Sequence, residues 1–236
     1  MYWDQFTRRH QVYVCLAAVF VSSLIIANLV GAYLFEIVLP FEMPLLGKRA
    51  LLSAGIIPFP VTFLLTDLLN EYYGEKGARF ITFVGFAMSI LVFLYLLFGN
   101  FLPVAGETVI LPSQYSAFSD NYANMFAASL TAYLIGQLLD IKVFGVFKAL
   151  TGSRFLWLRA TGSTVISQVF DSLIVTSIAF YDNLSVDKIL LIAASNYTWK
   201  FIVSVGITPF LYMGHMILKR LLHITPEHVE VSGELN

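Results

Sequence analysis

Long stretches without a charged side chain constrain this protein more than any other feature of its sequence. They cover residues 11–35, 50–66, 80–106, 121–139, 160–170 and 189–199. About 20 apolar residues are enough to cross the hydrocarbon core of a bilayer as a helix. Only 12% of the residues are charged, against about 25% in typical soluble domains. The sequence therefore predicts a polytopic helical membrane protein that is surrounded by the lipid bilayer.

The apolar runs predict an all-α fold with about six transmembrane helices, near residues 11–38, 50–73, 79–102, 123–147, 160–181 and 188–218. Lysine and arginine collect in cytoplasmic loops. Most of them fall at the two termini and in loops on the same side, whereas the loop at 100–122 contains none. We therefore expect both termini in the cytoplasm. Residues 1–222 form a single transmembrane domain in this prediction, and residues 223–236 form a flexible polar cytoplasmic tail.

Pro58 and Pro60 interrupt the second apolar run. Each proline lacks an amide hydrogen and disfavours helix in the residue before it. We expect the second span to be broken at these prolines, with a new helix that starts near Pro60 and ends near Tyr73. Broken helices at membrane depth line a cavity or lie buried in protein, and they often mark a transporter's binding site. A loop that ends early, followed by a short tilted helix, explains the same residues equally well.

Carboxamides and carboxylates are paired twice inside the apolar runs. Gln137 precedes Asp140, and Gln168 precedes Asp171, by three residues, so each pair shares one face of a helix. Each aspartate also ends a ridge of small residues, spaced by four, which lets two helices approach closely. The two pairs can therefore face one central space. A carboxamide with a carboxylate suits a planar ligand that presents adjacent N–H groups and a carbonyl.

Further polar side chains lie in or beside the same runs. A charge at the centre of a bilayer costs at least about 2.5 kcal/mol on insertion scales, so such residues usually face a cavity or a partner. They are Asn28, Asp67, Glu71 and Lys200. A purely structural explanation pairs Asp171 with Lys200 and uses the glutamines as interhelical hydrogen bonds. Asp67, Asp140 and Asp171 outnumber the one midspan lysine, however, and this excess of negative charge favours a binding site or a proton relay.

The sequence offers little that an enzyme needs. It has no cluster of histidines and cysteines that could hold a metal. An intramembrane serine protease needs a Gly-x-Ser segment within one helix and a histidine that faces it. Residues 160–167, ATGSTVIS, begin a helix near the cytoplasm, and His215 also lies near a cytoplasmic end, so no persuasive dyad results. A net charge of −1 argues against a nucleic-acid partner. We expect no catalytic residue, cofactor or metal.

Five stretches together resemble the queuosine-precursor transporters of the vitamin uptake transporter family. They are ANLVG (27–31), TDLLNEYYG (66–74), GQLLDIKVF (136–144), STVISQVFDSLI (163–174) and NYTWKFIVS (196–204). The resemblance implies six transmembrane helices and uptake of 7-cyano- or 7-aminomethyl-7-deazaguanine, precursors for tRNA modification, across the bacterial inner membrane. It places substrate-binding residues at Asn28, Asp67, Gln137, Asp140, Asp171 and Lys200, and extends to Glu71 and Gln168, where relatives vary.

A second function fits the same residues. A membrane subunit that binds a vitamin-like solute and depends on a separate ATPase complex would also have small-residue ridges, which it would use for docking. The chain has no Walker motif, which agrees with either function. We expect a transporter for a small molecule, and we leave a homo-oligomer open.

Overall fold

The computed structural model describes residues 7–31, 33–43, 47–106, 108–151, 155–180 and 185–222. These residues form five helices and one β-hairpin. The helices are α1 (Arg8–Val30), α2 (Phe59–Gly99), α3 (Pro112–Thr151), α4 (Leu156–Phe180) and α5 (Val186–Leu222). The predicted polar tail, 223–236, lies outside the described residues.

Four of the helices are long and apolar enough to cross a membrane, namely α1, α2, α3 over Ser129–Thr151, and α5. A helix suits this environment because it satisfies its own backbone hydrogen bonds. Large apolar side chains such as Val14, Phe80 and Phe98 point outward and are more than half exposed. In lipid such side chains need no protein cover. The chain is therefore a multi-pass membrane protein.

The long helix α2 consists of two limbs, residues 59–73 and 75–99, which meet at Gly74. Gly74 has φ 73° and ψ 177°, a backbone conformation that is essentially restricted to glycine. The first limb thus ends at Tyr73, as the sequence predicted. Because the helical hydrogen bonds cannot continue through this conformation, the second limb can take a different direction.

Contacts with α1 show that the first limb of α2 runs antiparallel to α1. Shortly before the limb begins, the chain is hydrogen-bonded to the residues that follow α1. There the amide of Ala54 donates to the carbonyl of Tyr33 at 2.8 Å. The limb ends beside the start of α1, where the guanidinium of Arg9 donates to the carbonyl of Tyr72 at 3.2 Å. The first limb therefore crosses the bundle in the direction opposite to α1.

The second limb of α2 returns alongside α1. The hydroxyl of Tyr13 donates to the carbonyl of Gly77 at 2.9 Å. Further along both helices, Leu24 packs directly on Gly85, where a Cβ would stand 2.9 Å from the leucine. Residue numbers on the two helices therefore rise together, so the two limbs form a helical hairpin that is closed at Gly74.

The remaining helices continue this alternation of direction. α3 starts beside the end of the second limb, where Tyr115 donates to the carbonyl of Leu96 at 2.9 Å. α5 runs antiparallel to α4, since Lys200 contacts Asp171 and Tyr212 accepts a hydrogen bond from the backbone of Trp157. The described chain thus folds back and forth as a bundle of antiparallel helical segments.

The predicted helical fold is confirmed for most of the described chain, and a two-stranded antiparallel hairpin between α1 and α2 is a local exception. Its strands are β1 (Leu34–Met43) and β2 (Gly47–Ser53), and Leu34 pairs with Ser53 at its base. The prediction extended the first and second helices into this segment because its composition is apolar. Charged residues interrupt the segment, however, at Glu36, Glu42, Lys48 and Arg49.

The predicted break of the second span at Pro58 and Pro60 is wrong, because no helix precedes the prolines. β2 and a single 3-10 turn, Ala54–Ile56, occupy that stretch, and α2 begins at Phe59. The amides of the first helical turn have no intrahelical partner in any case, so a proline there loses no hydrogen bond. The prolines therefore start a helix here and do not interrupt one.

Replacing Gly74 with alanine should destabilise the protein by about 1–3 kcal/mol because of its backbone conformation. Steric conflict is not the cause, since a Cβ at Gly74 has nothing within 4 Å. Gly206→Ala is the matched control, because Gly206 has equally open surroundings but lies within α5, where alanine is the better helix former. Thermal unfolding of the purified variants in detergent measures the difference. Equal stability of the two variants would contradict the turn at Gly74.

Candidate functional site

α3 and α4 approach closely where their small residues face the aspartates of the other helix. A Cβ on Gly136 would stand 3.3 Å from the Cβ of Asp171. One turn further along α3, Asp140 Oδ1 accepts a hydrogen bond of 3.1 Å from Ser167 Oγ. Each aspartate therefore contacts a small residue that lies four positions before the other aspartate. The two ridges of small residues form this interface and bring both carboxylates to it.

Asp140 and Gln137 each have one acceptor atom that makes no hydrogen bond among the described residues. Asp140 is fully buried beside serine and threonine hydroxyls of α4, and the atom concerned is its Oδ2. Gln137 is 1% exposed. Its Nε2 donates to Thr66 Oγ1 at 2.6 Å, whereas its Oε1 has no partner in the described part of the chain. A buried polar atom that makes no hydrogen bond costs about 1–3 kcal/mol. Some other interaction therefore has to offset this free-energy cost for Asp140 Oδ2 and Gln137 Oε1.

The other buried polar atoms without a hydrogen bond in the described part of the chain include one more on α3 and one on α4. The hydroxyl of Tyr133 and Oε1 of Gln168 have no hydrogen-bond partner within the described ranges, and both residues are at least 98% buried. Tyr133 precedes Gln137 by four positions, and Asp140 follows Gln137 by three, so all three share one face of α3. That face therefore carries a line of unsatisfied polar atoms, which is the feature expected of a site that awaits a polar ligand.

An ion pair and two aromatic rings lie next to this line. Lys200 on α5 forms a salt bridge with Asp171 on α4, and the side chain of Lys200 is 30% exposed. The Nζ atom of Lys200 lies 5.8 Å from the ring centre of Phe59. Phe59 contacts the ring of Tyr133 edge-to-face, with 6.3 Å between centroids. Side chains from α2, α3, α4 and α5 thus converge around one region of the bundle.

A separate charge cluster neutralises Glu71. Arg159 and Glu71 form a salt bridge of 2.9 Å, and both side chains are 1% exposed. Lys148 lies 3.8 Å from the second carboxylate oxygen and also donates to the backbone carbonyl of Glu71. Because Glu71 forms ion pairs with Arg159 on α4 and Lys148 on α3, it links α2, α3 and α4, although its Oε2 makes no hydrogen bond in the described part of the chain. Arg159 directly precedes the predicted span 160–181, and nothing in the neighbouring sequence indicates that its side chain is buried.

Asp67 lies between this charge cluster and Asp140. It is 5% exposed and interacts electrostatically with Asp140 and Glu71. Among the described residues, neither Asp67 nor Asp140 forms a salt bridge. The two carboxylates therefore account for the excess negative charge that the sequence predicted, because Glu71 and Asp171 are paired.

Asn28 takes part in a different contact. Its Nδ2 donates to the carbonyl of Leu24 at 3.0 Å, and its Oδ1 accepts a hydrogen bond of 3.4 Å from Ser129 on α3. Both polar atoms thus have partners in the protein. Among the described residues Asn28 links α1 to α3 and forms no hydrogen bond with Gln137, Asp140 or Asp171.

Thr66 is the residue that sequence reasoning missed, although it starts the stretch TDLLNEYYG. Its Oγ1 donates to the carbonyl of Thr62 at 2.8 Å and accepts the hydrogen bond from Gln137. Thr62, Thr66 and Asn70 recur every four residues on the first limb of α2. This polar stripe was the available signal, because residues four apart share a helix face.

The bundle and its interior define the class of protein. Ionisable and amide residues inside membrane helices mark pathways and binding sites for solutes, and transporters place such sites between packed helices. Here apolar helices surround a buried region with unsatisfied acceptors and aromatic rings. The fold and the site are those of a membrane transporter.

Comparison with known proteins gives the family. A family model described as "Putative vitamin uptake transporter" matches residues 53–214. The chain belongs to this family of vitamin uptake transporters. The matched segment contains every predicted site residue except Asn28. No solved structure matches the chain.

Curated bacterial relatives agree with the family match. The chain is 33% identical over 161 residues to a "Probable queuosine precursor transporter" of Bacillus subtilis, covering 68% of this chain and 70% of the relative. It is 31% identical over 182 residues to the "Queuosine precursor transporter" of Escherichia coli, covering 76% and 78%. A relative from Haemophilus influenzae is 28% identical over 171 residues, covering 66% of both chains. The chain is therefore similar to bacterial transporters over most of its length.

Removing Lys200 should destabilise the protein, because Asp171 would be left as a buried charge without a partner. Breaking a fully buried pair costs about 3–5 kcal/mol. Since Lys200 is 30% exposed, we expect a smaller cost, on the order of 2 kcal/mol, for Lys200→Met. The double variant Lys200→Met with Asp171→Leu should recover most of this loss. Thermal unfolding in detergent is the measurement.

Lys188→Met is the control for this experiment, because Lys188 is an exposed lysine near the start of the same helix. It should unfold like the wild type. If Lys200→Met is also as stable as the wild type, the salt bridge contributes nothing to folding, and a direct role of Lys200 toward the ligand becomes the better explanation.

Proposed function

We propose that this protein imports a 7-deazaguanine precursor of queuosine, either 7-cyano- or 7-aminomethyl-7-deazaguanine, across the bacterial inner membrane for the salvage of tRNA modification. The observation that carries the proposal is the group of buried acceptors without partners, Gln137 Oε1, Asp140 Oδ2 and Gln168 Oε1. A guanine-like ring presents a ring N–H beside an exocyclic amino group, which are the donors that such acceptors require. The bacterial relatives are named queuosine precursor transporters, which supports the same substrate class.

In this proposal the substrate-binding residues have different tasks. Gln137, Asp140 and Gln168 accept hydrogen bonds from the substrate. The Asp171–Lys200 pair fixes the charge at the neighbouring helices, and Asp67 adds negative charge at the inner end of the site. Asn28 supports the site through its link between α1 and α3. The rings of Phe59 and Tyr133 supply an apolar surface for a planar ligand.

The proposed topology has six membrane crossings, in which the two limbs of α2 count separately and α4 is included. Both ends of the chain and the turn at Gly74 then lie in the cytoplasm. The distribution of basic residues along the sequence supports this orientation. Of the 14 lysines and arginines, ten fall in or beside the segments proposed to be cytoplasmic, namely Arg8, Arg9, Lys76, Arg79, Lys142, Lys148, Arg154, Arg159, Lys219 and Arg220. A homo-oligomer in the bilayer is compatible with this topology.

Dependence on a separate ATPase complex is the alternative function. In that case the ridges of small residues would be expected on an outer face, where they would receive the partner. Here Gly136 and Ser167 lie in the interior contact between α3 and α4, which favours a transporter that works alone. Uptake by this chain expressed in a host without such ATPases would support this choice, and no uptake without the complex would reverse it.

The topology can be tested with single cysteines at Lys76 and Ser113 in a Cys15→Ala background. Both positions are exposed in the structure. A membrane-impermeant thiol reagent should label Ser113→Cys in intact spheroplasts and Lys76→Cys only after the membrane is opened. Labelling of both from the same side would exclude the six-crossing arrangement, and so would a Lys76→Cys that remains inaccessible after opening.

Asp140→Asn and Asp171→Asn should each abolish uptake while the protein stays in the membrane. Asp140→Asn removes a charged acceptor for the ligand, which costs about 1.5–3 kcal/mol and corresponds to at least about tenfold in affinity. Asp171→Asn removes the carboxylate that pairs with Lys200 and so changes the charge beside the proposed site. The assay uses a bacterial strain that neither makes nor imports the precursor, fed with low concentrations of it, and measures queuosine in tRNA by mass spectrometry. Asp187→Asn, an exposed carboxylate at the start of α5, is the control and should retain uptake.

Immunoblots of the membrane fraction show whether each variant is present in equal amount. Wild-type uptake by both Asp140→Asn and Asp171→Asn at low substrate concentration would refute the proposed site. Wild-type protein that restores no queuosine with either precursor would refute the proposed substrate class.

A further inference from the structure

We infer that Thr66 is a positioning residue that sets the hydrogen-bonding polarity of the binding site, by holding the carboxamide of Gln137 with its oxygen directed to the substrate. The inference deepens the proposed function and rests on it. The site would then be specific for a substrate with an amino group next to a ring N–H, because the two atoms that face it, Gln137 Oε1 and Asp140 Oδ2, are both acceptors. We call these two atoms the acceptor edge.

The hydroxyl of Thr66 has a single hydrogen to give. That hydrogen is used in the hydrogen bond to the carbonyl of Thr62, four residues earlier, at 2.8 Å. Toward Gln137, Thr66 Oγ1 can therefore act only as an acceptor. The carboxamide has to present its NH₂ group to this oxygen, and it does so at 2.6 Å.

The orientation of the carboxamide decides what Gln137 offers to a ligand. With Nε2 committed to Thr66, the atom that remains is the carbonyl oxygen Oε1, which is buried and has no partner among the described residues. A carboxamide that could rotate freely would present either a donor or an acceptor. Thr66 removes this ambiguity, because the opposite orientation would place two acceptor oxygens against each other.

Asp140 completes the acceptor edge. Its Oδ1 lies 3.1 Å from the hydroxyl of Ser167, whose single hydrogen is shared between this oxygen and the carbonyl of Thr164. Its Oδ2 is buried and makes no hydrogen bond in the described structure. Since Gln137 and Asp140 lie three residues apart, their free oxygens are on the same face of α3. Two acceptors side by side recognise two adjacent N–H donors, such as a ring N–H with a neighbouring exocyclic amino group. They penalise a ring without the amino group, because one buried acceptor then stays unpaired.

The test compares the binding of two probes to the full-length protein purified in detergent. The probes are 7-cyano-7-deazaguanine and the same compound without its 2-amino group. We expect the wild type to prefer the amino compound by at least about tenfold. Thr66→Val should lower this ratio, because the carboxamide of Gln137 can then rotate and no longer presents only its oxygen. Thr66→Ser, which retains the hydroxyl, should keep most of the preference.

Thr82→Val is the matched control. Thr82 is also a fully buried threonine whose hydroxyl donates to a carbonyl four residues earlier, that of Ala78, at 2.9 Å. It has no glutamine to position, so this variant should keep the wild-type ratio. A change of the ratio specific to Thr66→Val then reflects orientation of the carboxamide and not the loss of a buried hydroxyl.

An unchanged ratio in Thr66→Val would overturn the inference. If Thr66→Val does not fold, Gln137→Met decides, since it removes the carboxamide and leaves the hydrogen bond between Thr66 and Thr62 in place. A ratio close to one supports the acceptor edge, and the wild-type ratio overturns it. Wild-type protein that binds both probes equally would reject the inference but keep the proposed function, whereas wild-type protein that binds neither probe would reject the proposed function itself.

Discussion

The close contact between α3 and α4 is the constraint on which the rest of the structure depends. Two carboxylates can be buried between apolar helices only if those helices approach closely enough to supply hydrogen bonds. Gly136 and Ser167 make this approach, because each is small enough to receive the aspartate of the other helix. The ion pair of Asp171 with Lys200 then fixes α5 against α4. A larger side chain at Gly136 would separate α3 from α4 and remove the hydrogen bond between Ser167 and Asp140.

The buried carboxylates fall into two groups with different consequences. Glu71 and Asp171 have cationic partners on neighbouring helices, so they contribute to the packing of the bundle. Asp67 and Asp140 have none among the described residues, so hydrogen bonds or another partner have to offset the cost of their burial. The proposed site therefore lies where the described residues leave carboxylates without a cation, next to the cluster of Glu71 with Arg159 and Lys148. In this proposal one part of the bundle contributes to packing and the neighbouring part binds a polar solute.

The hydrogen bonds of the buried polar groups connect this packing to the substrate specificity of the proposed site. Each buried donor or acceptor of the site is either used within the protein or left for the substrate. Ser167 uses one oxygen of Asp140, and Thr66 uses the amide nitrogen of Gln137. What remains on this face is a pair of acceptors. Backbone geometry and helix packing thus decide which chemical groups a substrate must present.

Hydropathy and the three- and four-residue spacing of a helix are local properties of a sequence. They were therefore enough to predict the membrane class, a helix that starts near Pro60 and ends near Tyr73, and the Gln–Asp pairs, and the motifs indicated the family. The packing of the helices was needed to show that β1 and β2 replace the ends of two predicted helices, that Arg159 is buried against Glu71, and that Gln137 donates to Thr66. The last two contacts join residues 88 and 71 positions apart. Such partners depend on how whole helices rotate and pack against each other, and no local pattern in the chain encodes that choice.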